Sequence, residues 1–138
     1  QVYSPLGAWY HASKHALEGW SDCLRLELAP FGINVVLIEP GLIATNFYES
    51  LIRPLAIRGE GGVYEARTRG FIATIEGRYS QPGQSSEPAV VASTIARAVA
   101  AARPRTRYAT GRYARLLMFL RRYGGDRLFD RLVTKMAG

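Results

Sequence analysis

The first clear pattern along the chain is a helical one. Apolar side chains recur at spacings of three and four between residues 8 and 29, and no proline interrupts them before Pro30. They are Ala8, Ala12, Ala16, Leu17, Trp20, Leu24 and Leu28. The spacing predicts one long helix over residues 8–29 that ends at Pro30 and Gly32.

The next pattern is that of a buried strand. Residues 33–39 read Ile-Asn-Val-Val-Leu-Ile-Glu and are followed by the turn Pro40-Gly41. Such a nearly continuous hydrophobic run is typical of a parallel strand that is covered on both faces. A helix followed by a buried strand is half of a βαβ unit, so the pattern predicts an α/β fold with a parallel sheet.

The later elements are less uniform. Residues 45–80 scatter aromatic and aliphatic side chains among charges and glycines, which predicts a mobile, partly helical excursion. Residues 86–88, Ser-Glu-Pro, then open a second helix. A short strand is expected at 107–110, and two helical segments, at 112–122 and 126–136, are expected to close the chain.

Composition limits the chemistry that is open to the chain. With 138 residues, 48% of them hydrophobic, the chain can bury a core without a disulfide or a metal. Cys23 is the single cysteine, and His11 and His15 are the two histidines. One cysteine and two histidines exclude a Cys-rich zinc site, and we expect no structural metal. Cys23 is expected to be a small buried hydrophobe, and the two histidines to lie on the helix surface.

The net charge of +7 is concentrated near the end of the chain. Residues 103–138 carry ten basic and two acidic side chains, whereas the preceding part is nearly balanced. Segments 114–123 and 127–135 place Arg beside Leu and Phe, as helices on anionic membrane surfaces do. A solvated face that covers a cleft or a dimer neighbour explains the same pattern. Nucleic acid is not expected as a partner, since no aromatic platform or binding motif accompanies the charge.

The sequence shows no sign of secretion or of a membrane span. The segment Gln-Val-Tyr-Ser-Pro at 1–5 lacks the basic start and apolar run of a signal peptide. An apolar stretch such as 116–120 is far shorter than the roughly 20 residues that cross a bilayer. The expected location is cytoplasmic, with peripheral membrane contact of the basic tail as an option.

The chemically most informative feature is the pair Tyr10 and Lys14. At positions i and i+4 of a helix, the two side chains lie on one face, one turn apart. A phenol ionises only near pH 10, so it transfers protons at neutral pH only where a nearby positive charge favours the phenolate. An ammonium group can do this, and it can also hydrogen-bond a ribose hydroxyl. Two side chains that merely share an exposed helix face would show the same spacing.

Several motifs follow this pair in order. Tyr-x-x-Ser-Lys at 10–14 precedes Leu-x-x-Glu-Leu at 24–28, Gly-Ile-x-Val at 32–35 and Pro-Gly-x-x-x-Thr at 40–45. Over residues 1–110 the chain resembles the carboxyl-terminal half of a short-chain dehydrogenase/reductase. The resemblance implies the second half of a doubly wound, Rossmann-like parallel sheet with flanking helices, followed by a basic helical tail at 111–138.

The resemblance also implies an activity and a site. It implies hydride transfer between NAD or NADP and an alcohol or carbonyl, with Tyr10 as the acid/base and Lys14 as the group that favours its ionisation. The cofactor-binding residues would be Tyr10, Lys14, Pro40, Gly41, Ile43 and Thr45.

The segment 45–80 takes the place of the substrate-binding loop, and its apolar content favours an apolar alcohol or carbonyl substrate. Packing on the core explains that content equally well. The substrate-binding residues would be Phe47, Tyr48 and Leu51. The family further implies a homodimer or homotetramer, often paired through the helix that bears Tyr10.

The chain also departs from the family pattern. Neither the Gly-rich phosphate-binding turn nor the Asn-Asn-Ala-Gly segment occurs in it, and Ser4 and Ser13 stand at the wrong distance from Tyr10 to be the catalytic serine. Residue 13 matches instead the serine that packs beside the active site. We therefore expect that residues 1–138 alone neither fold stably nor catalyse. The alternative is an inactive homologue that serves as a binding or membrane-surface module.

Overall fold

A computed structural model describes residues 2–81 and 83–137, and the side chains of Tyr48, Ser80 and Ala137 lie outside the described part. These residues form six α-helices and two β-strands. They are α1 (Ala8–Leu28), β1 (Leu37–Pro40), α2 (Phe47–Gly59), α3 (Glu65–Ser80), α4 (Pro88–Ala100), β2 (Arg107–Thr110), α5 (Ala114–Tyr123) and α6 (Gly125–Ala137). A single 3₁₀ turn, Ala29–Phe31, closes α1, and Gly32 ends that turn with a left-handed backbone (φ 72°).

The two strands form a parallel pair, and α4 makes the crossover between them. Leu37 lies opposite Arg107, and Pro40 lies opposite Thr110. Buried Thr94 of α4 fastens the crossover to the sheet, because its hydroxyl lies 2.9 Å from the Thr110 hydroxyl. The α/β class with a parallel sheet is therefore confirmed, as a partial Rossmann-like fold.

The first strand is shorter than its sequence predicts. The predicted strand covers 33–39, but residues 33–36 have no strand pairing, and Ile33 is 52% exposed. Strand structure begins at Leu37, whose amide donates to the Thr106 carbonyl. A strand extends only as far as a neighbour accepts its backbone hydrogen bonds, and β2 is a short neighbour.

The segment 45–80 is more regular than expected. Two helices, α2 and α3, occupy most of it, where the sequence predicts a mobile, partly helical excursion. The helices approach closely where Gly59 faces Thr68, since a Cβ on Gly59 would lie 2.8 Å from the Thr68 methyl carbon. Glycines and charges scattered through the segment hide the helical spacing, and packing between the helices supplies the stability that propensity lacks.

The buried apolar core among the described residues is small and is shared by the helices α3 to α6. Phe129 of α6 has no exposed surface, and its ring meets the ring of Tyr3 edge-on at 5.0 Å between centroids. By contrast, much of α1 is open to solvent. Besides Tyr10, its exposed large apolar side chains are Trp9, Leu17, Trp20 and Leu26. Cys23 lies on this helix and is exposed, so the prediction of a buried cysteine is wrong, because none of the described residues covers it.

A cluster of charges ties α1 to the sheet. The guanidinium of Arg107 in β2 donates to Glu18 (3.1 Å) and Asp22 (2.6 Å) of α1 and to Glu39 (2.9 Å) of β1. Burial opposes the charge on Arg107, but the bond to Glu39 and the charge of Asp22 outweigh it, and the pKa of the guanidinium rises above its ordinary value. Motif reading does not reveal this cluster, although Glu18 and Asp22 share a helix face at i and i+4.

Candidate active site

The pair Tyr10 and Lys14 lies in the first two turns of α1. The Lys14 ammonium nitrogen is 5.6 Å from the centroid of the Tyr10 ring, so the charge sits over the aromatic face. The Tyr10 side chain is 41% exposed and can meet a ligand from outside. Ser13, between the two, is exposed, and its hydroxyl donates to the Tyr10 carbonyl at 2.7 Å.

The turn before α1 is held by His11. The Ser4 amide donates to His11 Nε2 at 3.1 Å, and the Ser4 hydroxyl lies 3.0 Å from the same nitrogen. The imidazole packs so closely on Gly7 that a Cβ there would be 2.9 Å from its Cδ2 atom. These contacts fix the turn through which the chain enters α1, and Tyr10 follows it directly.

His11 is therefore not the surface residue that the sequence predicts. It is half-buried, because the turn folds back over it, and burial together with the charge of His15 lowers the pKa of His11. His15 is half-buried as well, with Nδ1 2.7 Å from the His11 carbonyl. An amide donor can bond only to an unprotonated ring nitrogen, so the fold requires neutral His11.

The loop after β1 carries the predicted cofactor residues 40–45. The Gly41 amide donates to the Thr110 carbonyl at 2.8 Å, which places the loop at the carboxyl ends of both parallel strands. In open α/β sheets, ligands bind beyond these ends. The location of the loop thus agrees with the general rule.

Ile43 and Thr45 present backbone and hydroxyl groups at this loop. Ser86 bonds to the backbones of Leu42 and Ala44, so the amide and carbonyl of Ile43 point to the other side of the loop. The Thr45 hydroxyl accepts a bond of 3.4 Å from the Phe47 amide at the start of α2 and keeps its own proton to donate. The Ile43 amide, the Ile43 carbonyl and the Thr45 hydroxyl are groups that can hydrogen-bond the oxygen and the amino group of a planar carboxamide.

Phe47 joins the loop to Tyr10. Its ring lies 5.7 Å from the Tyr10 ring, and 45% of the side chain is exposed. Leu51, one turn further along α2, is half-buried. Tyr48, the third predicted substrate residue, has its side chain outside the described residues.

Tyr79 of α3 is a further aromatic neighbour that motif reading does not single out. Burial raises the pKa of the Tyr79 phenol, and the nearby Tyr10 oxygen raises it further. The Tyr10 phenol thus lies near enough to influence the ionisation of Tyr79 on another helix. In the sequence, the position of Tyr79 near the end of the segment 45–80 is the one feature that could have indicated its proximity to Tyr10.

Two cavities lie away from the pair Tyr10 and Lys14. Cavities of about 290 and 410 Å³ share Asn34, Val36 and Pro104, at the end of β1 opposite to the Pro40 loop. Neither includes Tyr10 or Lys14.

Among the described residues, no three His, Cys, Asp or Glu side chains are grouped as metal ligands. No helix within 2–81 or 83–137 is long and apolar enough to cross a bilayer.

Together these features define a class of protein: a Rossmann-like α/β unit in which a helix-borne Tyr–Lys pair stands beside a loop at the carboxyl ends of parallel strands. The family model for short chain dehydrogenase matches residues 1–55. Retinol dehydrogenase 5 of Mus musculus is 32% identical over 136 residues, which cover 93% of this chain and 43% of that protein. Retinol dehydrogenase 16 of Homo sapiens is 33% identical over 138 residues, with 94% and 43% covered.

A bacterial relative, the uncharacterized oxidoreductase YusZ of Bacillus subtilis, is 36% identical over 81 residues, 58% of this chain and 29% of that protein. The chain belongs to the short-chain dehydrogenase family, and the predicted family resemblance is confirmed. The chain spans less than half the length of these relatives. The roles of the individual site residues stay predictions.

Proposed function

We propose that the protein is an oxidoreductase that transfers a hydride between NAD or NADP and an alcohol or carbonyl, with Tyr10 as the acid/base. The observation that carries this proposal is the Tyr10–Lys14 pair, with an ammonium nitrogen 5.6 Å from the phenol ring centroid, next to the loop beyond β1. A cation near a phenol favours the phenolate, which is the form that accepts a proton.

The chain's own part in the reaction is proton transfer at the substrate oxygen. In oxidation, the Tyr10 oxygen takes the hydroxyl proton as the carbon loses a hydride; in reduction, it returns the proton to the carbonyl oxygen as the carbon gains one. Lys14 holds a positive charge beside the phenol through both steps. A bound nicotinamide supplies the hydride acceptor or donor.

The residues at the loop suit the nicotinamide end of such a cofactor. The Ile43 amide and carbonyl, which point away from Ser86, would hold the carboxamide, and the Thr45 hydroxyl would complete that set. Lys14 would bond the ribose hydroxyls with donors that the ring contact leaves free. Pro40 and Gly41 would act by shaping the turn.

The substrate is proposed to be apolar. Phe47 offers a half-exposed ring beside Tyr10, and Leu51 lies one turn further along the same helix. Apolar side chains around a few polar groups are typical of small-molecule pockets. Two of the relatives are named retinol dehydrogenases, which supports an apolar alcohol or carbonyl as substrate.

The protein is further proposed to be a homodimer or homotetramer that pairs through α1. Leu17 (47% exposed), Trp20 (61%) and Leu26 (67%) lie on this helix and support an apolar contact with a second copy. Large apolar side chains that stay in water are typical of interaction surfaces.

The test uses the full-length protein. Its intact mass is measured first, and NADH and NADPH are then titrated by fluorescence. Tyr10→Phe is compared with Tyr64→Phe, which removes a hydroxyl from an exposed residue between α2 and α3. We expect Tyr10→Phe to lower kcat by about 100-fold or more with cofactor binding retained, which is the usual scale for general acid–base catalysis. Tyr64→Phe should leave kcat unchanged.

Two results would reject the proposal. Turnover that survives Tyr10→Phe would remove this residue from proton transfer. Absence of binding of either cofactor to the full-length protein would favour the alternative, an inactive homologue that serves as a binding module. Lys14→Met separates the roles further, since a residue that holds the ribose should lower cofactor affinity as well as kcat.

A further inference from the structure

The outer face of α5 combines exposed aromatic and basic side chains. Its members recur at spacings typical of one helix face. They are Arg115, Leu116, Phe119, Arg122 and Tyr123. All five are exposed, with Leu116 at 54%, Phe119 at 60% and Tyr123 at 68%. We call these five residues the α5 face.

The α5 face is a preformed surface. The rings of Phe119 and Tyr123 lie 4.9 Å apart between centroids, and the Arg122 guanidinium carbon lies 5.7 Å from the Tyr123 ring centroid. The opposite side of the helix is the packed one, with Ala114 buried and Leu117 half-buried. The helix therefore has a distinct core side, and the α5 face is not that side.

The charge around the α5 face is strongly positive. No acidic residue occurs in α5, and the neighbouring helix α6 exposes Arg127, Arg131 and Lys135 at successive turns. The two acidic residues of α6 are already engaged. Asp126 pairs with Arg121, and Asp130 accepts a hydrogen bond from Tyr3. Positive charge beside exposed apolar rings remains for a partner.

We propose that the α5 face docks on an anionic lipid bilayer. Its aromatic and leucine side chains would enter the boundary between headgroups and acyl chains, while Arg115 and Arg122 would remain among anionic headgroups. Long basic side chains reach outward from such a helix. A partner whose surface is both apolar and anionic matches the apolar and the basic side chains of the α5 face.

The side chains of the α5 face favour the bilayer over two other partners, a second copy of the chain and single-stranded nucleic acid. A symmetric contact with a second copy would bring two α5 faces together, each with Arg115 and Arg122 and no acidic side chain from α5, and these like charges repel. Single-stranded nucleic acid would use the two rings for stacking, but it has no use for the aliphatic side chain of Leu116. The inference does not depend on the catalytic role proposed for Tyr10.

The experiment is vesicle co-sedimentation of the full-length protein. Vesicles of phosphatidylcholine alone are compared with vesicles in which about a third of the lipid is phosphatidylserine. We expect binding to the anionic vesicles that weakens as salt is raised, because surface charges are screened. The double variant Arg115→Gln/Arg122→Gln should bind these vesicles roughly 10- to 30-fold more weakly. Phe119→Ser should weaken binding by about tenfold or more.

Matched controls keep the test specific. Arg58→Gln/Arg67→Gln removes the same charge from exposed positions on α2 and α3, and Val63→Ser removes an apolar side chain that is 98% exposed between these helices. Both should bind like the unchanged protein, and circular dichroism should show that every variant keeps its helix content.

Three results would overturn the proposal. The first is equal binding to neutral and anionic vesicles. The second is a loss in the control variants as large as the loss in the α5 variants. The third is no vesicle binding together with binding of a single-stranded oligonucleotide that Phe119→Ser abolishes, which would assign the α5 face to nucleic acid.

Discussion

Gly41 and Arg112 lie so close together that no side chain fits between them. A Cβ on Gly41 would collide with the Arg112 carbonyl oxygen and lie 2.8 Å from the Ala114 amide nitrogen. Next to it, the Leu42 amide donates to that same carbonyl at 3.1 Å. The loop that would hold the nicotinamide is thus pressed directly against the chain that leads from β2 into α5.

Gly41→Ala should therefore be severely destabilising. The atoms in its way belong to the main chain and cannot rotate aside, so we expect a loss of about 3 kcal/mol, at the upper end for overpacking. Gly19→Ala is the control, because a Cβ there meets no atom within 4 Å in the middle of α1. This change should stabilise the helix by up to about 1 kcal/mol. Urea denaturation of both variants, made in the full-length protein, measures the difference in unfolding free energy.

The stability of the protein should fall as the pH drops below about 6.5 through the titration of His11. Its pKa is lowered in the fold by burial and by His15, so the unfolded chain binds a proton first as the pH falls. Unfolding free energy then declines until the pH is below the folded-state pKa, where the decline stops. Above about pH 7, His11 is neutral in both states, and its contribution to the free energy of unfolding is fully present.

Nuclear magnetic resonance titration of the imidazole protons tests this directly. The His11 midpoint should lie below about 6.5, and His15→Gln should move it upward, since that change removes a nearby positive charge. In His11→Gln, the corresponding pH dependence of unfolding should disappear. A His11 midpoint at or above the ordinary value would contradict the fold around Ser4.

Removal of Arg107 should destabilise the protein more than removal of an exposed ion pair. Arg107→Met leaves Glu18, Asp22 and Glu39 without their shared cation, and the Glu39 side chain is only 15% exposed. We expect a loss of about 2 kcal/mol, between the values for exposed and buried pairs. The control Arg69→Met breaks a pair with Glu65 in which the arginine is 74% exposed. It should cost under about 0.5 kcal/mol by thermal or urea unfolding.

Residues 1–138 produced alone should unfold without a sharp transition. Few of the described side chains are fully buried, and Trp20 and Leu26 of α1 remain in water. The buried apolar area is therefore too small to support cooperative unfolding. We expect a broad thermal transition and binding of an apolar dye. A single steep transition that far-ultraviolet and near-ultraviolet circular dichroism report alike would refute this expectation.

Local spacing in the sequence was enough to predict several elements and the main chemical pair. The prediction of a helix at 8–29 agrees with α1, and the strand at 107–110 agrees with β2. Tyr10 and Lys14 meet as expected because one regular helix carries both. The ordered motifs also carried the family resemblance, since each motif is read within a few residues.

Tertiary structure decided what depends on distant parts of the chain. The start of β1 at Leu37 depends on the length of β2, its hydrogen-bonding neighbour. The meeting of Phe47 with Tyr10 depends on how the loop beyond β1 folds back toward α1. Arg107 gathers carboxylates from two other elements, and no spacing along the chain encodes such a contact.

The sequence by itself thus determined the helix that bears Tyr10 and Lys14, because the hydrogen bonds of a helix join residues four apart. Only the tertiary structure decided what surrounds that helix. Turn contacts made His11 half-buried, and Cys23 stayed exposed because no residue in the described part of the chain packs over it. Burial is a property of neighbours in space, and the periodicity of one segment specifies the face it offers but not the partner that covers it.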